Sequence, residues 1–274
     1  MRKIATGLFV LAAAVAVATT ASAAPPLYIE DFNYASPSGL VGQGGWAAHS
    51  GAGTNPLTVN AAAGLTYSGY PGSGVGNGVG TTATSGEDVN HGFTGQTITT
   101  YAACMVNVVS TQAGGDYFFH FFDGPIAGNV FRARVFVKKD ATTTNYAFGI
   151  QFGSTANAVY TGFTYTPGTT HLIVLKYTVV AGAANDQVSL FVDPAFTCSE
   201  PAVTVSTVDA GQTDAVLLDG VCIRQGSSLN AATVQIDGIR VATNWADAVG
   251  VSYDTQCPIA VTHVQWGALK QLYR

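Results

Sequence analysis

Short runs of β-forming residues follow one another along most of the chain, and this regularity restricts the fold more than any other feature. The runs alternate apolar and polar residues or are apolar throughout, and Gly, Asn, Pro and Thr separate them. They are residues 96–109, 116–122, 130–139, 145–153, 171–180, 186–194, 215–225 and 232–245. Helical periodicity is almost absent. The pattern predicts an all-β chain with one antiparallel β-sandwich domain over residues 24–248.

Basic residues in the run 130–139 indicate which kind of sheet these strands form. Arg132, Arg134 and Lys138 alternate with apolar residues in the sequence VFRARVFVKK. Such alternation is typical of an antiparallel sheet with one solvated face. We therefore expect these three side chains to lie on a face that is largely exposed to solvent.

Residues 37–86 are dense in Gly, Ser, Asn and Ala and differ in texture from the strand-rich region. Larger apolar residues recur in this segment at Trp46, Leu57, Val59, Leu65 and Tyr67. Their spacing predicts an ordered, irregular flank that drapes over the core and carries two or three short strands. A disordered segment is the alternative.

The first 23 residues have the pattern of a secretory signal peptide. Basic residues 2 and 3 precede an apolar run over residues 7–18, and Ala21, Ser22 and Ala23 form an A-x-A cleavage site. The apolar run is shorter than the ~20 residues that span a membrane. We expect this signal helix to be cleaved, leaving a secreted or cell-surface protein without a membrane span.

Charged residues make up only 10% of the chain, against about 25% in an ordinary soluble domain. Lys and Arg number 11 and Asp and Glu 16, so the formal net charge is -5. Basic residues cluster no further than the pair Lys138 and Lys139. An acidic chain without a basic patch argues against nucleic acid as a partner.

Four cysteines, an even number in a chain expected to be exported, permit disulfide bonds. Cys104 lies inside an apolar strand and is expected to be a free, buried thiol. We expect Cys198 to be disulfide-bonded, with Cys222 as the preferred partner, and this bond would close a loop of roughly 25 residues and stabilise the fold by ~3 kcal/mol. Cys257 is the alternative partner of Cys198, and the spacing does not choose between them.

Seven short segments, in their order along the chain, are similar to those of a known family of domains. They are EDFNY (30–34), GGW (44–46), LTYSGY (65–70), SGEDVNHGF (85–93), NDQVSLFVDP (185–194), CIRQG (222–226) and IDGIRVATNW (236–245). Together they resemble the concanavalin A-like, laminin-G-like jelly-roll domains of exported bacterial proteins of unknown function. The resemblance implies two stacked antiparallel sheets, with the first strand beside the last. It also implies a curved sheet whose concave face often holds sugar.

Some domains of this kind are endo-glucanases that carry E-x-D-x-x-E on one strand, but Glu30, Glu87 and Glu200 do not form that motif. The two carboxylates of a glycosidase must stand ~5 to 9.5 Å apart, and neighbours such as Glu87 and Asp88 point to opposite sides of a strand. The sequence also lacks G-x-S-x-G, H-E-x-x-H and P-loop motifs. We therefore expect a protein that is not an enzyme and requires no cofactor.

The resemblance, together with 12 Tyr and 3 Trp, predicts a non-catalytic module that binds carbohydrate or a surface glycan. Trp46, Tyr67 and Tyr70 lie in Gly-rich sequence and are candidates for stacking on a sugar ring. The alternative is a structural or adhesive extracellular protein without a small ligand, because a surface with little charge does not oppose association.

The resemblance further implies a structural calcium ion between the terminal strands. Asp31 or Glu30 from the first strand and Asp237 from the last are the candidate ligands, since these acids come from elements that it places side by side. Solvated or turn-capping carboxylates are the alternative.

The tail, residues 249–274, is the part of the chain after the signal peptide where a helix is predicted. Trp266, Leu269 and Tyr273 follow one another at helical spacing, with Lys270 and Arg274 at the end. A helix of ~10 residues is marginal alone. Its apolar face therefore needs a partner, either the sandwich itself or a surface receptor that recognises the tail.

Overall fold

The computed structural model describes residues 25–60, 64–154, 157–208 and 211–251, and these form two antiparallel β-sheets that pack face to face. The strands are β1 (Tyr28–Glu30), β2 (Ser38–Gly39), β3 (Ala47–Ser50), β4 (Thr58–Asn60), β5 (Gly78–Gly80), β6 (Asp88–Gln96), β7 (Thr100–Ser110), β8 (Asp116–Asp123), β9 (Phe131–Lys139), β10 (Tyr146–Gln151), β11 (Val159–Tyr160), β12 (Thr170–Thr178), β13 (Gln187–Val192), β14 (Val205–Val208), β15 (Leu218–Ile223) and β16 (Thr233–Ala242). A 3₁₀ turn, Ile126–Gly128, and a short helix α1, Trp245–Val249, complete these elements. The predicted all-β sandwich is confirmed.

The strands divide between two sheets, named here sheet A and sheet B. Sheet A has the order β14-β13-β12-β7-β16-β5-β4-β2, and β1 also pairs with β16. Sheet B has the order β11-β10-β9-β8-β15-β6-β3. Glu30 of β1 lies opposite Ile239 of β16 in an antiparallel register. The first strand therefore lies beside the last, as the resemblance implies.

One continuous apolar core fills the space between the sheets. Every second side chain of the long strands enters it, such as Val135 and Val137 of β9. The Gly-rich flank contributes Trp46, Leu57 and Val59, which are fully buried or nearly so. The described part of the flank is therefore ordered, as predicted, and it carries β2 to β5 where two or three short strands were expected.

The outer side of sheet A is covered by the protein itself. Leu65 and Tyr70 of the Gly-rich flank and Trp245 of α1 belong to a second apolar cluster, together with outward-facing residues of sheet A such as Met105 and Leu172. The side chain of Asn244 caps the start of α1, and Gly250 ends it in the left-handed conformation. The central strands of sheet A, β7, β12, β13 and β16, are thus covered on both sides.

Helix α1 is not the helix predicted from the tail. The stripe of Trp266, Leu269 and Tyr273 lies outside the described residues, as does the signal peptide. Within the described ranges, no helix is long and apolar enough to cross a membrane.

A bulge in β9 overturns one expectation from the sequence. Ala133 has a φ of 52°, in the left-handed region, and β9 shifts register against β8 near this point. The bulge places Arg132 and Ala133 both in buried positions, and Arg132 Nη2 lies 3.3 Å from Asp123 Oδ2. The prediction of a largely exposed face is therefore wrong for Arg132. Arg134 and Lys138 are half-buried and so are less exposed than predicted.

The cysteines correct a second expectation. Cys104 and Cys222 are both free and fully buried. The free thiol at Cys104 is confirmed, and the preferred Cys198–Cys222 bond is wrong, because Cys222 lies within β15 and has His120 and Asn90 as its cross-strand neighbours. Cys257 lies outside the described residues, so a Cys198–Cys257 bond stays a prediction that peptide mapping without reduction tests.

Candidate functional site

The outer side of sheet B carries a layer of rings that belong to neither apolar cluster. We call it the aromatic face, formed by His49, Tyr117, His120, Phe131, Phe136 and Tyr160. Five of the six rings are half-buried, and His120 is fully buried. The face extends from edge strand β3 to edge strand β11.

Alternation along the strands explains why these rings lie outside the core. In β9, Val135 and Val137 enter the core, so Phe136 between them points outward. Phe119 and Phe121 of β8 likewise enter the core and leave His120 on the outer side. The sequences DYFFHFF and VFRARVFVKK thus supply apolar residues to both sides of one sheet.

The rings form a continuous series of edge and tilted contacts. Tyr117 lies 5.4 Å from both His120 and Phe136, measured between ring centroids. Phe136 lies 6.3 Å from Tyr160, and His120 lies 4.5 Å from Phe131. These distances fall within or close to the range of favourable aromatic pairs, so each ring helps to fix the orientation of the next.

The contact between His49 and Phe131 shows that the face is concave. His49 lies on β3 and Phe131 on β9, which are four strand spacings apart in sheet B. In a flat sheet their backbones would be about 19 Å apart, yet the ring centroids are 5.7 Å apart. Two ring side chains do not span that difference alone, so sheet B curves toward this side.

Two glycines let rings lie close against the sheet. A Cβ added at Gly149 of β10 would lie 2.7 Å from the Tyr160 ring. A Cβ added at Gly220 of β15 would lie 1.9 Å from the Phe122 ring. Glycine is therefore required at both positions for the present arrangement of rings.

Cations lie over these rings. The Arg224 guanidinium is 4.1 Å from the Tyr117 centroid, and that of Arg134 is 4.6 Å from the same ring. Lys138 Nζ is 5.4 Å from the Tyr160 centroid. All three distances are within the range of a cation–π contact, so the face combines flat apolar surfaces with positive charge.

Two carboxylates at one side of the face hold Arg224 in place. Asp116 Oδ1 accepts a 2.7 Å hydrogen bond from Arg224 Nη1, and Asp116 also accepts from the backbone N–H groups of Tyr117 and Ser227. Asp88 accepts from the N–H of Gln225, and burial raises its pKa. Both carboxylates therefore anchor protein groups.

His120 supports the ring layer from below. Its Nδ1 lies 3.0 Å from the carbonyl oxygen of Phe121 and donates to it, because a carbonyl only accepts. Burial holds the pKa of His120 well below 6.5, so the ring is neutral. Within the described residues its Nε2 has no hydrogen-bond partner. Phe131 and Tyr117 cover it, so His120 positions rings and does not itself meet a ligand.

The aromatic residues predicted from the Gly-rich sequence lie elsewhere. Trp46 is buried in the core and donates from Nε1 to Glu30, and Tyr70 is buried on sheet A, where its hydroxyl donates to the Gly238 carbonyl. The prediction that these two rings stack on a sugar is therefore wrong. Tyr67 is half-buried against Phe196 on the side of sheet A, away from the aromatic face.

The predicted calcium ligands lie on or beside paired strands, but each carboxylate has its own protein partner. Asp31 pairs with Arg240 at 2.6 Å, and Asp237 accepts from the N–H groups of Leu65 and Gly238. Among the described residues, no group of three or more His, Cys, Asp or Glu side chains is arranged to hold a metal ion. The geometry gives this site no support, and it stays a prediction that equal melting temperatures in EDTA and in excess Ca²⁺ would remove.

The sequence does contain a signal for the aromatic face, but this signal is not a motif. Tyr117, Phe136 and Tyr160 occupy positions where strand alternation places a polar, solvated side chain. A single aromatic residue on a surface is ordinary, whereas several grouped together mark an interaction site. Which strands lie side by side, and hence that these rings meet, follows only from the fold.

No protein-family model matches the chain, and no curated protein matches it. Among solved structures, the chain is similar to the carbohydrate recognition domain of Emp47p, with a TM-score of 0.46 and 12% identity over 80% of this chain and 96% of that one. It is similar to a Trypanosoma rangeli sialidase, with a TM-score of 0.43 and 15% identity over 78% of this chain and 33% of that one. It is also similar to a protein of unknown function from Shewanella oneidensis MR-1, with a TM-score of 0.47 and 12% identity over 81% and 89%. Similarities this distant concern the β-sandwich fold and say nothing of a ligand.

Proposed function

We propose that this protein is a secreted, non-catalytic carbohydrate-binding module and that the aromatic face is its binding surface. The observation that carries the proposal is a concave sheet face lined by half-buried rings, whereas the opposite outer face is covered by α1 and the Gly-rich flank. Rings on a concave surface offer flat apolar areas to the faces of pyranose rings.

Polar groups on the same face supply hydrogen bonds for sugar hydroxyls. Arg134 and Gln151 lie beside each other, with Nη1 3.5 Å from Oε1, and Asn90 lies beside His49. Ligand sites combine a mostly apolar lining with a few placed polar groups, and this composition supports a sugar as the ligand.

The arrangement of carboxylates supports a non-catalytic role. Hydrolysis of a glycosidic bond uses one carboxyl group as an acid and a second as a base or nucleophile. On the aromatic face, Asp88 and Asp116 are both engaged by Arg224 and by backbone N–H groups. They hold a cation in position, so among the described residues this pair is not free to act as acid and base beside the rings.

A glycan array followed by titration of the best ligand tests the proposal. Tyr117→Ala and Tyr160→Ala should each weaken binding by roughly tenfold or more, because each removes a flat ring from the surface. Tyr67→Ala, the matched control on sheet A, should bind like the original chain. Incubation of the glycan with the protein should produce no new reducing sugar ends above background, because the module does not cleave glycosidic bonds. The proposal would be overturned if the protein bound no glycan at all, or if the control variant lost as much glycan affinity as the other two variants.

A further inference from the structure

Arg134 is a charged group on the aromatic face that forms no ion pair with any described residue. Three of the four arginines in the described ranges have an aspartate partner: Arg132 with Asp123, Arg224 with Asp116 and Arg240 with Asp31. Arg134 has no carboxylate within salt-bridge distance among the described residues. Its contacts are a long 3.5 Å hydrogen bond to Gln151 Oε1 and the rings of Tyr117 and Phe131.

The surroundings of Arg134 make an unpaired charge costly. The side chain is half-buried, and its Nε is buried without a hydrogen-bond partner in the described part of the chain. Burial lowers the pKa of Arg134, and the nearby cations Arg224 and Arg132 lower it further, while Tyr117 and Asp116 partly offset this. A guanidinium in this state gains from an anion that accepts its N–H groups.

We propose that the aromatic face selects acidic glycans and that Arg134 binds the carboxylate of a uronic acid. This inference rests on the proposed function and names the class of sugar. A carboxylate matches the planar fork of a guanidinium and fills two N–H donors at once. The ring layer beside Arg134 then holds the pyranose that carries the carboxylate.

The placement of a second cation supports a polymer of such sugars. Lys138 lies on the same strand and the same side as Arg134, and Phe136 lies between them. Four residues along a strand correspond to about 13 Å. In the described ranges Lys138, like Arg134, has no carboxylate within salt-bridge distance. An acidic chain that follows β9 therefore meets a cation, a ring and a second cation in turn.

The negative charge of the whole protein does not oppose this local attraction. The formal net charge is -5, but of the two carboxylates on this face, Asp116 is paired at 2.7 Å with Arg224, and Asp88 lies on the far side of the same guanidinium at 4.0 Å. Charges more than about 10 Å away are largely screened at physiological ionic strength. The side of the face formed by β9 and β10 therefore presents positive charge.

A matched pair of polymers tests the inference with the intact chain. Polygalacturonate carries free carboxylates, and its methyl ester has the same backbone without the charge. Titration should give binding to polygalacturonate at least roughly tenfold tighter than to the ester. Arg134→Gln should lower this preference severalfold, because Lys138 is then the one remaining cation beside the ring layer on β9. Lys139→Gln, the same charge change at an exposed neighbour, should keep the preference, and melting temperatures should show that both variants fold.

The outcomes separate this inference from the proposed function. Equal binding of both polymers, or an unchanged preference in Arg134→Gln, would overturn the acidic-glycan inference while glycan binding itself stands. A sulfated glycan that binds as tightly as polygalacturonate would overturn the assignment to a carboxylate. If no glycan binds on the array, both proposals are wrong.

Discussion

At the scale of single residues, Glu30 joins three aromatic side chains at one end of the sandwich. Its Oε2 accepts hydrogen bonds from the hydroxyls of Tyr28 and Tyr34 and from Trp46 Nε1, at 2.7 to 2.9 Å, and its Oε1 accepts from the N–H of Phe32. Donors on every side make a buried carboxylate tolerable. The network ties the Gly-rich flank to the first strand.

Removing one donor from this network tests its contribution. Trp46→Phe keeps a ring in the core but loses the hydrogen bond to Glu30, so we expect the free energy of unfolding to fall by about 1.5 to 3 kcal/mol. Glycan binding should not change, since Trp46 is buried away from the aromatic face. Chemical denaturation measures the loss.

Trp245→Phe is the matched control for this substitution. Trp245 Nε1 donates to the neutral carbonyl of Thr197 at 3.0 Å, so its loss should cost less, about 0.5 to 1.5 kcal/mol. If Trp46→Phe abolished glycan binding in a folded protein, Trp46 would be a ligand contact after all.

Asp237 predicts a pH dependence of stability. Burial raises its pKa from 3.8 to about 7, although the N–H groups of Leu65 and Gly238 favour the ionised form. Because the folded state holds this proton more tightly than the unfolded state, the stabilisation is complete below about pH 4 and is lost as the pH rises toward 7. Between these two pH values the free energy of unfolding should fall by about 1.4 kcal/mol for each step of one in pH.

Melting temperatures between pH 4 and 8 measure this effect when Asp237→Asn is compared with the original chain. The variant keeps the size of the side chain but does not titrate, so the fall in melting temperature with rising pH should be smaller in the variant. Identical slopes would show that Asp237 titrates normally in the folded protein.

At the scale of elements, the positions of the long strands follow from the sequence but local irregularities do not. The run 130–139 predicts β9 to within one residue, because alternation is a property of the sequence. The bulge at Ala133 carries no such signal, since alanine is not a residue that favours a positive φ. Because of this one-residue shift, the Arg132 side chain contacts a buried aspartate and does not face the solvent.

Glycine in β10 gives the element-scale prediction. Gly149→Ala would place a methyl group 2.7 Å from the Tyr160 ring and 3.2 Å from the carbonyl of Val159. The ring and strand β11 must shift, so we expect glycan binding to weaken severalfold while the core of the sandwich stays folded. Titration of the glycan, together with the melting temperature, measures the two effects separately.

Gly162→Ala is the control for this change, because its added methyl group would meet the nearest atom at an ordinary 3.6 Å. It should leave binding as it is. Full binding by Gly149→Ala would show that the position of the Tyr160 ring does not matter to the ligand.

At the scale of the whole molecule, the sequence predicts the sandwich but not its working surface. Alternation and turn residues predict a β-sandwich, and the family resemblance implies two stacked sheets with β1 beside β16, which is the pairing that the fold has. The aromatic face depends on contacts between strands far apart in sequence, such as His49 of β3 with Phe131 of β9. The roles of Trp46 and Tyr70 were predicted wrongly for the same reason. Their hydrogen-bond partners, Glu30 and Gly238, come to lie beside them only in the folded chain.

The two free thiols of the described residues, one in each sheet, report on whether the sheets open together. Cys104 in β7 of sheet A and Cys222 in β15 of sheet B are fully buried, and burial raises the pKa of each thiol, so neither reacts in the native state. One continuous core joins both sheets, so we expect a thiol reagent to reach both cysteines only when the whole sandwich opens, and at equal rates. Peptide mass spectrometry after timed exposure to iodoacetamide gives both rates, and Cys104→Ala and Cys222→Ala serve as controls. Faster labelling of Cys222 would mean that the aromatic face opens by itself, as separation of His49 from Phe131 would allow, and would contradict a single cooperative unit.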